Sequence, residues 1–297
     1  MTYDLISIGH VARDEFAGEP EWRLGGTALY SAAAAARLGD RVALLTRVGP
    51  GEWPRLLQRC RELGIELHAL ESEATTTFAF RYVDGKRQLR LKARARAIGA
   101  SAIPIGLRAA RAVILASIAH ELDRSLFTMY RDVPRVLAAQ GYLRTWDADG
   151  SVRRRDWEEA VDVLPHVSVT VISEEDIDGE LDVARSWSRS SPIVVTLAER
   201  GALVLRDGHQ TVVPGFAAAR VVDPTGAGDA FCAGLALALA DGNDLEAAAR
   251  LANAVASFAV EDIGIAGLAT REQVEARMSA HSSSSSPSSS SGRTAQP

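Results

Sequence analysis

The chain has 297 residues, 47% of them hydrophobic, and carries a formal net charge of −5 with a pI near 5.8. Such a composition provides for a sizeable core and excludes global disorder; its acidity argues against a nucleic-acid partner held by phosphate attraction. Cys60 and Cys232 lack metal-ligand spacing, the start Met-Thr-Tyr-Asp has no basic and apolar leader pattern, and the longest apolar runs (Ala32–Ala36, Ala230–Ala240) are too short to span a bilayer, so a cytoplasmic, non-membrane protein is expected.

In chain order, Leu5–Ile8 is a short apolar run that reads as a buried strand. Val11–Leu24 is irregular and partly charged, and Gly25-Gly26 precedes a helix over Thr27–Leu38. A strand over Val42–Thr46 and a helix over Glu52–Leu63 follow. Thr75–Lys92 holds two alternating segments around Asp84-Gly85, a strong hairpin cue that marks an edge addition or a lid. Val113–Ala116 reads as a strand, Ser125–Ala139 as a helix, and Gln140–Arg144 as the approach to or opening of another strand. A helix over Trp157–Val163 and strands over Val167–Ile172 and Ile193–Thr196 come next, then helices over Ala227–Leu239, Leu245–Val260 and Arg271–Met278. This alternation predicts an α/β fold with a mostly parallel central sheet covered on both faces. The serine-rich end, residues 281–297, cannot bury a core and is expected to be disordered.

The most specific stretch is Val221–Gly234, Val-Val-Asp-Pro-Thr-Gly-Ala-Gly-Asp-Ala-Phe-Cys-Ala-Gly. A strand is expected to end at Asp223, and a turn of small residues then opens a helix under Gly228 and Asp229. Unpaired amides at a helix mouth suit an oxyanion, and Gly226 and Gly228 present no side chain to its approach. Asp229 puts one carboxylate beside that anion site, the pairing that phosphate transfer to an alcohol needs. Gly-rich strand-to-helix turns also occur without any ligand, and an acid in a first helical turn also serves the helix dipole. The two aspartates flanking Thr-Gly-Ala-Gly make the run more specific than either feature alone.

From Asp223 to Asp229 the sequence resembles the signature of the ribokinase-like (PfkB) carbohydrate kinase family, and the likeness extends to about Met278. The resemblance implies a ribokinase-like domain over residues 1–280, with a small β lid from about 11–24 and 75–92. It implies ATP as phosphoryl donor, Mg²⁺ as the accompanying ion and a sugar, cyclitol or nucleoside as acceptor. The amides of Gly226, Ala227 and Gly228 would form the anion hole and Asp229 would be the base. Gly25-Gly26, Asp14 and Arg144 would meet the acceptor; Asp14 is otherwise a capping residue and Arg144 otherwise sits on the sheet rim. Thr196, Gly201, Asp223 and Thr225 would line the donor phosphates, with Asn253 and Gly264 near the adenine; Asn253 is equally readable as a solvent-facing helix residue. Asp176 would serve Mg²⁺ through water or simply open an acidic helix. Lids of this type sometimes pair across a homodimer.

The chain departs from the family pattern at three places. Tyr30 stands where an Asn often follows the glycines, Ser173 begins the Asn-x-x-Glu element that here ends in Asp176, and Ala198 replaces the middle glycine of Thr-x-Gly-x-x-Gly. Those departures leave open a kinase-fold protein that binds a small molecule without turning it over. A Rossmann site lacks its third glycine, no Walker A run occurs, zinc-ligand spacing is absent, and no Gly-x-Ser-x-Gly elbow is present.

Overall fold

The computed structural model describes residues 2–83 and 86–284. Its strands and helices are, in order, β1 (Tyr3–Gly9), β2 (Ala12–Phe16), β3 (Arg23–Gly25), α1 (Thr27–Arg37), β4 (Val42–Val48), α2 (Trp53–Leu63), β5 (Glu66–Glu71), β6 (Thr76–Val83), β7 (Lys86–Ala93), β8 (Ala110–Ala116), β9 (Arg135–Ala138), β10 (Arg144–Trp146) and β11 (Val152–Arg154). Then come α3 (Ala160–Val163), β12 (Val169–Ser173), α4 (Leu181–Trp187), β13 (Ile193–Thr196), β14 (Ala202–Arg206), β15 (His209–Val213), α5 (Ala227–Ala240), α6 (Leu245–Ala259) and α7 (Arg271–Ser284).

Among the described residues, one nine-stranded sheet runs in the order β15-β14-β13-β12-β9-β8-β1-β4-β5. It is parallel from β13 to β5 and closes with the antiparallel pairs β13–β14 and β14–β15. β1 is buried at nearly every position, as a parallel strand covered on two faces must be. One face packs on α1, α2, α5, α6 and α7 through an Ala- and Leu-rich layer. α5 is apolar around most of its circumference because it lies between the sheet, α1 and α6; at Gly234 a Cβ would already touch the Ala252 Cα at 3.0 Å. The opposite face carries α3, α4 and single 3₁₀ turns, with Tyr142 stacked on Trp157 and Trp187 edge-on to the same indole.

A second sheet, β3-β2-β6-β7, forms the β layer expected from residues 11–24 and 75–92. The irregular run Val11–Leu24 contains β2 and β3, and β6 and β7 pair antiparallel from Val83↔Lys86. The Asp84-Gly85 turn itself lies outside the described residues. The inner side of this sheet is apolar: Ala12, Phe78, Phe80 and Leu91 pack with Ile118 and Ala119 of the body. The ribbon β10–β11 reaches its edge through the Leu91 N–H, which donates to the Gly150 carbonyl at 2.8 Å.

Several expectations are corrected. Ser125–Ala139 is not a helix; a 3₁₀ turn at Arg124–Leu126 is followed by β9, in the middle of the sheet. Pro134 lacks the N–H that a helix interior needs, and four residues of Arg-Val-Leu-Ala are too few to display a two-residue period. Trp157–Val163 yields only the four-residue α3. β5, β14 and β15 were not anticipated, although Asp207-Gly208, with φ of 52° and 77°, joins β14 to β15 as the same kind of hairpin cue recognised at Asp84-Gly85. Finally, α7 runs through Ser284, so the serine-rich end starts inside a helix; residues 285–297 are not among those described.

Candidate active site

The predicted site residues gather beyond the carboxyl ends of the parallel strands, where α/β sheets receive ligands. β1 leads through His10 into β2 and Asp14, β3 ends at Gly25, and α1 begins at Thr27. Gly26 has φ 95°, and a Cβ there would press on the His10 carbonyl at 2.7 Å and the Ala12 amide at 2.9 Å, so the crossing of the two chains demands glycine. At Gly25 a Cβ would overlap the Asp14 carboxylate, which therefore lies against the glycine pair rather than out on the surface.

The second half of the site is the turn into α5. Asp223 accepts from the Thr225 amide at 3.0 Å and from the Gly264 amide at 3.4 Å, and thereby clamps the signature to the loop after α6. Gly226 is left-handed, φ 85°, and its carbonyl accepts from the Ala230 amide at 2.8 Å as the first helical bond. The Ala227 amide points back to the Pro224 carbonyl at 3.3 Å, so Ala227 drops out of the predicted anion hole. The amides of Gly226, Gly228 and Asp229 have no acceptor among the described residues. A Cβ at Gly228 would meet nothing within 4 Å, so packing inside the chain does not call for glycine there; clearance for a bound molecule does.

The two halves meet at Asp229. Thr27, the first residue of α1, comes close enough to the Asp229 carboxylate to favour its charged form. Burial pushes that carboxyl up to about 6; the nearby Thr27 hydroxyl and the positive charge of Arg144 pull it down, and Asp176 pushes it further up. Arg144 therefore faces the base from the β10 side, with its guanidinium 5.9 Å from the Phe78 ring centre. Tyr30, one turn into α1, packs its ring on Gly226, where a Cβ would collide with it. Tyr30 stands out in the sequence as a departure, whereas the signal for Thr27 is only its place directly after the glycine pair at a helix start.

The remaining predicted residues form two groups. Thr196 ends β13 beside Ser173, and its carbonyl accepts from the Glu174 amide at 3.0 Å, which puts the Ser173–Asp176 turn next to the donor side. Asp176 is committed to that turn: its carboxylate accepts from the Ser173 amide at 2.9 Å and from the Gln140 side chain at 3.1 Å. No cluster of three or more His, Cys, Asp or Glu able to hold a metal occurs among the described residues. These residues therefore offer no all-protein cage, and Asp176, already committed to its turn, would meet a hydrated Mg²⁺ accompanying the phosphates only through water. Ala198 has φ 52°, so it retains the left-handed turn that a glycine would adopt without strain. Gly201 (φ 98°) lies under Val213–Gly215. Asn253 is buried, not solvent-facing; its amide donates to the Val213 and Pro214 carbonyls at 3.0 and 3.1 Å and holds that same loop.

Val221 (76% exposed), Val222 (47%) and Ile263 (55%) form an uncovered apolar fringe beside Asp223 and Gly264. Two concavities of about 420 and 730 Å³ flank the Gly49–Pro54 turn, the first against Thr77 and Lys92 of the lid and the second against Glu71–Glu73 and Arg96. The first is lined by charges already paired with one another, Arg13 to Glu15 and Glu52 and Lys92 to Glu15. No helix among the described residues is long and apolar enough to cross a membrane.

Comparison with known proteins bears on the family and the fold. The model of the pfkB family carbohydrate kinases matches residues 1–270. A cytidine kinase of Thermococcus kodakarensis is 27% identical over 264 residues, 84% of this chain and 92% of that protein. The Bacillus subtilis ribokinase is 40% identical over 88 residues, 29% of this chain; the match spans 30% of that enzyme's length. Among solved structures, a pyrophosphate-dependent kinase of the ribokinase family, complexed with a pyrophosphate analog and myo-inositol, superposes with a TM-score of 0.75 at 22% identity, covering 92% of this chain and 99% of the other. Arabidopsis thaliana ribokinase complexed with ribose and ATP gives 0.73 at 20% identity, with 94% and 99% covered. The shared fold, the glycine pair and the Asp-Pro-Thr-Gly-Ala-Gly-Asp signature at the mouth of α5 lead to one assignment: the chain belongs to the pfkB family of carbohydrate kinases.

Proposed function

We propose that the protein transfers the γ-phosphate of ATP to a hydroxyl of a small polyol: a sugar, cyclitol or nucleoside. The observation that carries this reading is the meeting of Asp229 with Thr27. The reading is supported by the Asp229 carboxylate in the first turn of α5, near the Thr27 that follows the glycine pair and on the same turn as the open amides of Gly226, Gly228 and Asp229. In this reading the acceptor rests on Gly25 and Gly26 with Asp14 gripping its hydroxyls, and Arg144 faces the group in transfer. Asp229 accepts the acceptor's proton as its oxygen attacks. Phosphoryl transfer has a loose transition state, so placement and charge stabilisation by these amides supply most of the rate, and a base of modest strength suffices. A Mg²⁺ bound with ATP would neutralise phosphate charge, and Asp176 would meet it through water.

The exposed fringe of Val221, Val222 and Ile263 supports a donor that carries a nucleobase, since an apolar ledge offers nothing to pyrophosphate. The test is release of ADP from ATP, against phosphate from pyrophosphate, with ribose, fructose, myo-inositol and nucleosides as acceptors. Acceptor-dependent ADP release supports the proposal. Turnover of pyrophosphate alone overturns the donor assignment, and ligand-induced thermal stabilisation with no turnover of either donor would make the protein a binder.

A further inference from the structure

Arg144 faces Asp229 from the first residue of the three-residue strand β10, and its main chain is held by a side chain with no other role in the site. The Arg144 carbonyl accepts from Nε2 of His120 at 2.6 Å. A carbonyl only accepts, so Nε2 carries the hydrogen. Burial first, with Arg155 and Arg94 behind it, lowers the pKa of this imidazole; the bond to Arg144 and the charge of Glu121 only partly offset that. The ring is therefore neutral near pH 7, in one tautomer. His120 has φ 56°, a left-handed conformation set by a tight turn. Glu121, 1% exposed, folds that turn: its carboxylate accepts from the amides of Ala119 at 2.7 Å, Ile118 at 2.9 Å and His10 at 3.2 Å. The imidazole packs against Tyr142 and Trp146, with ring centres 6.2 and 5.1 Å away, two residues before and two after Arg144. The far end of the ribbon is tied to the lid through the Leu91 N–H and the Gly150 carbonyl at 2.8 Å. A guanidinium sits on a long, rotamer-rich stem, so where it points depends first on where its main chain is fixed.

We infer that His120 is a positioning residue for phosphoryl transfer: its Nε2–H pins the main chain of Arg144 so that the guanidinium stays opposite the Asp229 carboxylate. The inference rests on the phosphotransfer reading above and adds a separate claim, that the influence of Arg144 on Asp229 depends on His120. The groups facing Asp229 are Thr27, Arg144, Asp176 and, from α5 itself, the Cys232 thiol; those facing His120 are Arg155, Arg94, Glu121 and the Arg144 carbonyl. Arg144 is common to both surroundings, so a change at His120 reaches Asp229 through it. His120 acts on placement, and Asp229 alone is the base.

The experiment uses the full chain with His120→Gln, His120→Asn and His120→Phe, each alone and combined with Arg144→Gln, with ATP and the acceptor that the wild type turns over best. Gln puts an amide N–H where Nε2 stood. Asn suits the left-handed backbone but is too short to reach the carbonyl, and Phe keeps the packing on Tyr142 and Trp146 but has no donor. His120→Asn and His120→Phe are each expected to lose about tenfold in kcat, with the KM for ATP within about twofold, and to move the acid limb of kcat/KM to higher pH. His120→Gln is expected to stay within about threefold of the wild type with its limb in place. On the Arg144→Gln background the Asn and Phe changes are expected to cost less than about twofold, because the group they displace is gone. The same loss on both backgrounds, or an acid limb that stays put in whichever of the two donor-less variants folds, makes His120 merely structural and overturns the inference. Should the wild type phosphorylate no acceptor, the placement is read from unfolding instead. The stability gained by Asp229→Asn is measured against pH, with and without His120→Phe. A gain that sets in at higher pH when His120→Phe is present upholds the hold of His120 on Arg144 while the phosphotransfer reading falls; an unmoved profile overturns both.

Discussion

Replacing Asp229 by Asn should make the protein more stable while it makes it inactive. The carboxyl is raised from 3.8 to about 6, chiefly by burial, with Thr27 and Arg144 only partly offsetting. Because the folded value stands above the unfolded one, the native state holds the extra proton between roughly pH 4 and 6, and stability falls as pH rises through that window. Two pH units correspond to about 3 kcal/mol, an upper limit because the carboxylate keeps some contact with solvent. Asn keeps the shape and carries no charge. Thermal or urea unfolding of both proteins from pH 3.5 to 8 should give superimposable stabilities at the acid end. At pH 7.5 the Asn variant should be ahead by about 2–3 kcal/mol, on the order of 5 °C in Tm. A difference that does not change with pH, or a less stable variant at pH 7.5, would refute the idea that a charge is held at a cost where the chemistry needs it.

Further outcomes follow from the same geometry. The acid limb of kcat/KM should have an apparent pKa near 6; Thr27→Val and Arg144→Gln each remove an influence that lowers the Asp229 value and should move the limb to higher pH, whereas Asp176→Asn should move it lower. Gly228→Ala should fold like the wild type, since a Cβ there touches nothing, yet lose about 10²-fold or more in kcat/KM for ATP; Gly226→Ala should lose stability as well, with both its left-handed backbone and the Tyr30 ring against it. Ala198→Gly should stabilise by about 1 kcal/mol in denaturant melts, because Ala198 already holds a positive φ of 52°.

Much of the architecture was legible from short apolar runs separated by helical ones. β1, β4, β8, β12 and β13 are buried parallel strands whose sequences are almost continuously apolar, and their burial follows directly. β9 was illegible because alanine and leucine suit either state over four residues, and only its neighbours β8 and β12 supply the hydrogen bonds that make it a strand. Within the site, the signature and the glycine pair could be read because a left-handed turn and a close chain crossing each require glycine. That Thr27 would come beside Asp229, more than two hundred residues away in sequence, depends on how α1 packs against α5, which no local pattern records. The solvent-facing alternative for Asn253 falls for the same reason: its carboxamide looks surface-ready until the Val213–Pro214 carbonyls are brought over it.

Whether Asp229 takes the proton at a cradle of open amides is decided by single-turnover phosphoryl transfer in wild type and Asp229→Asn, with ATP and acceptor affinities measured alongside. Affinities should agree within about threefold, and the rate of transfer should be lower by roughly 10²–10⁴-fold in the variant. Transfer at close to the wild-type rate, with the ligands bound as before, would remove Asp229 from the role of base.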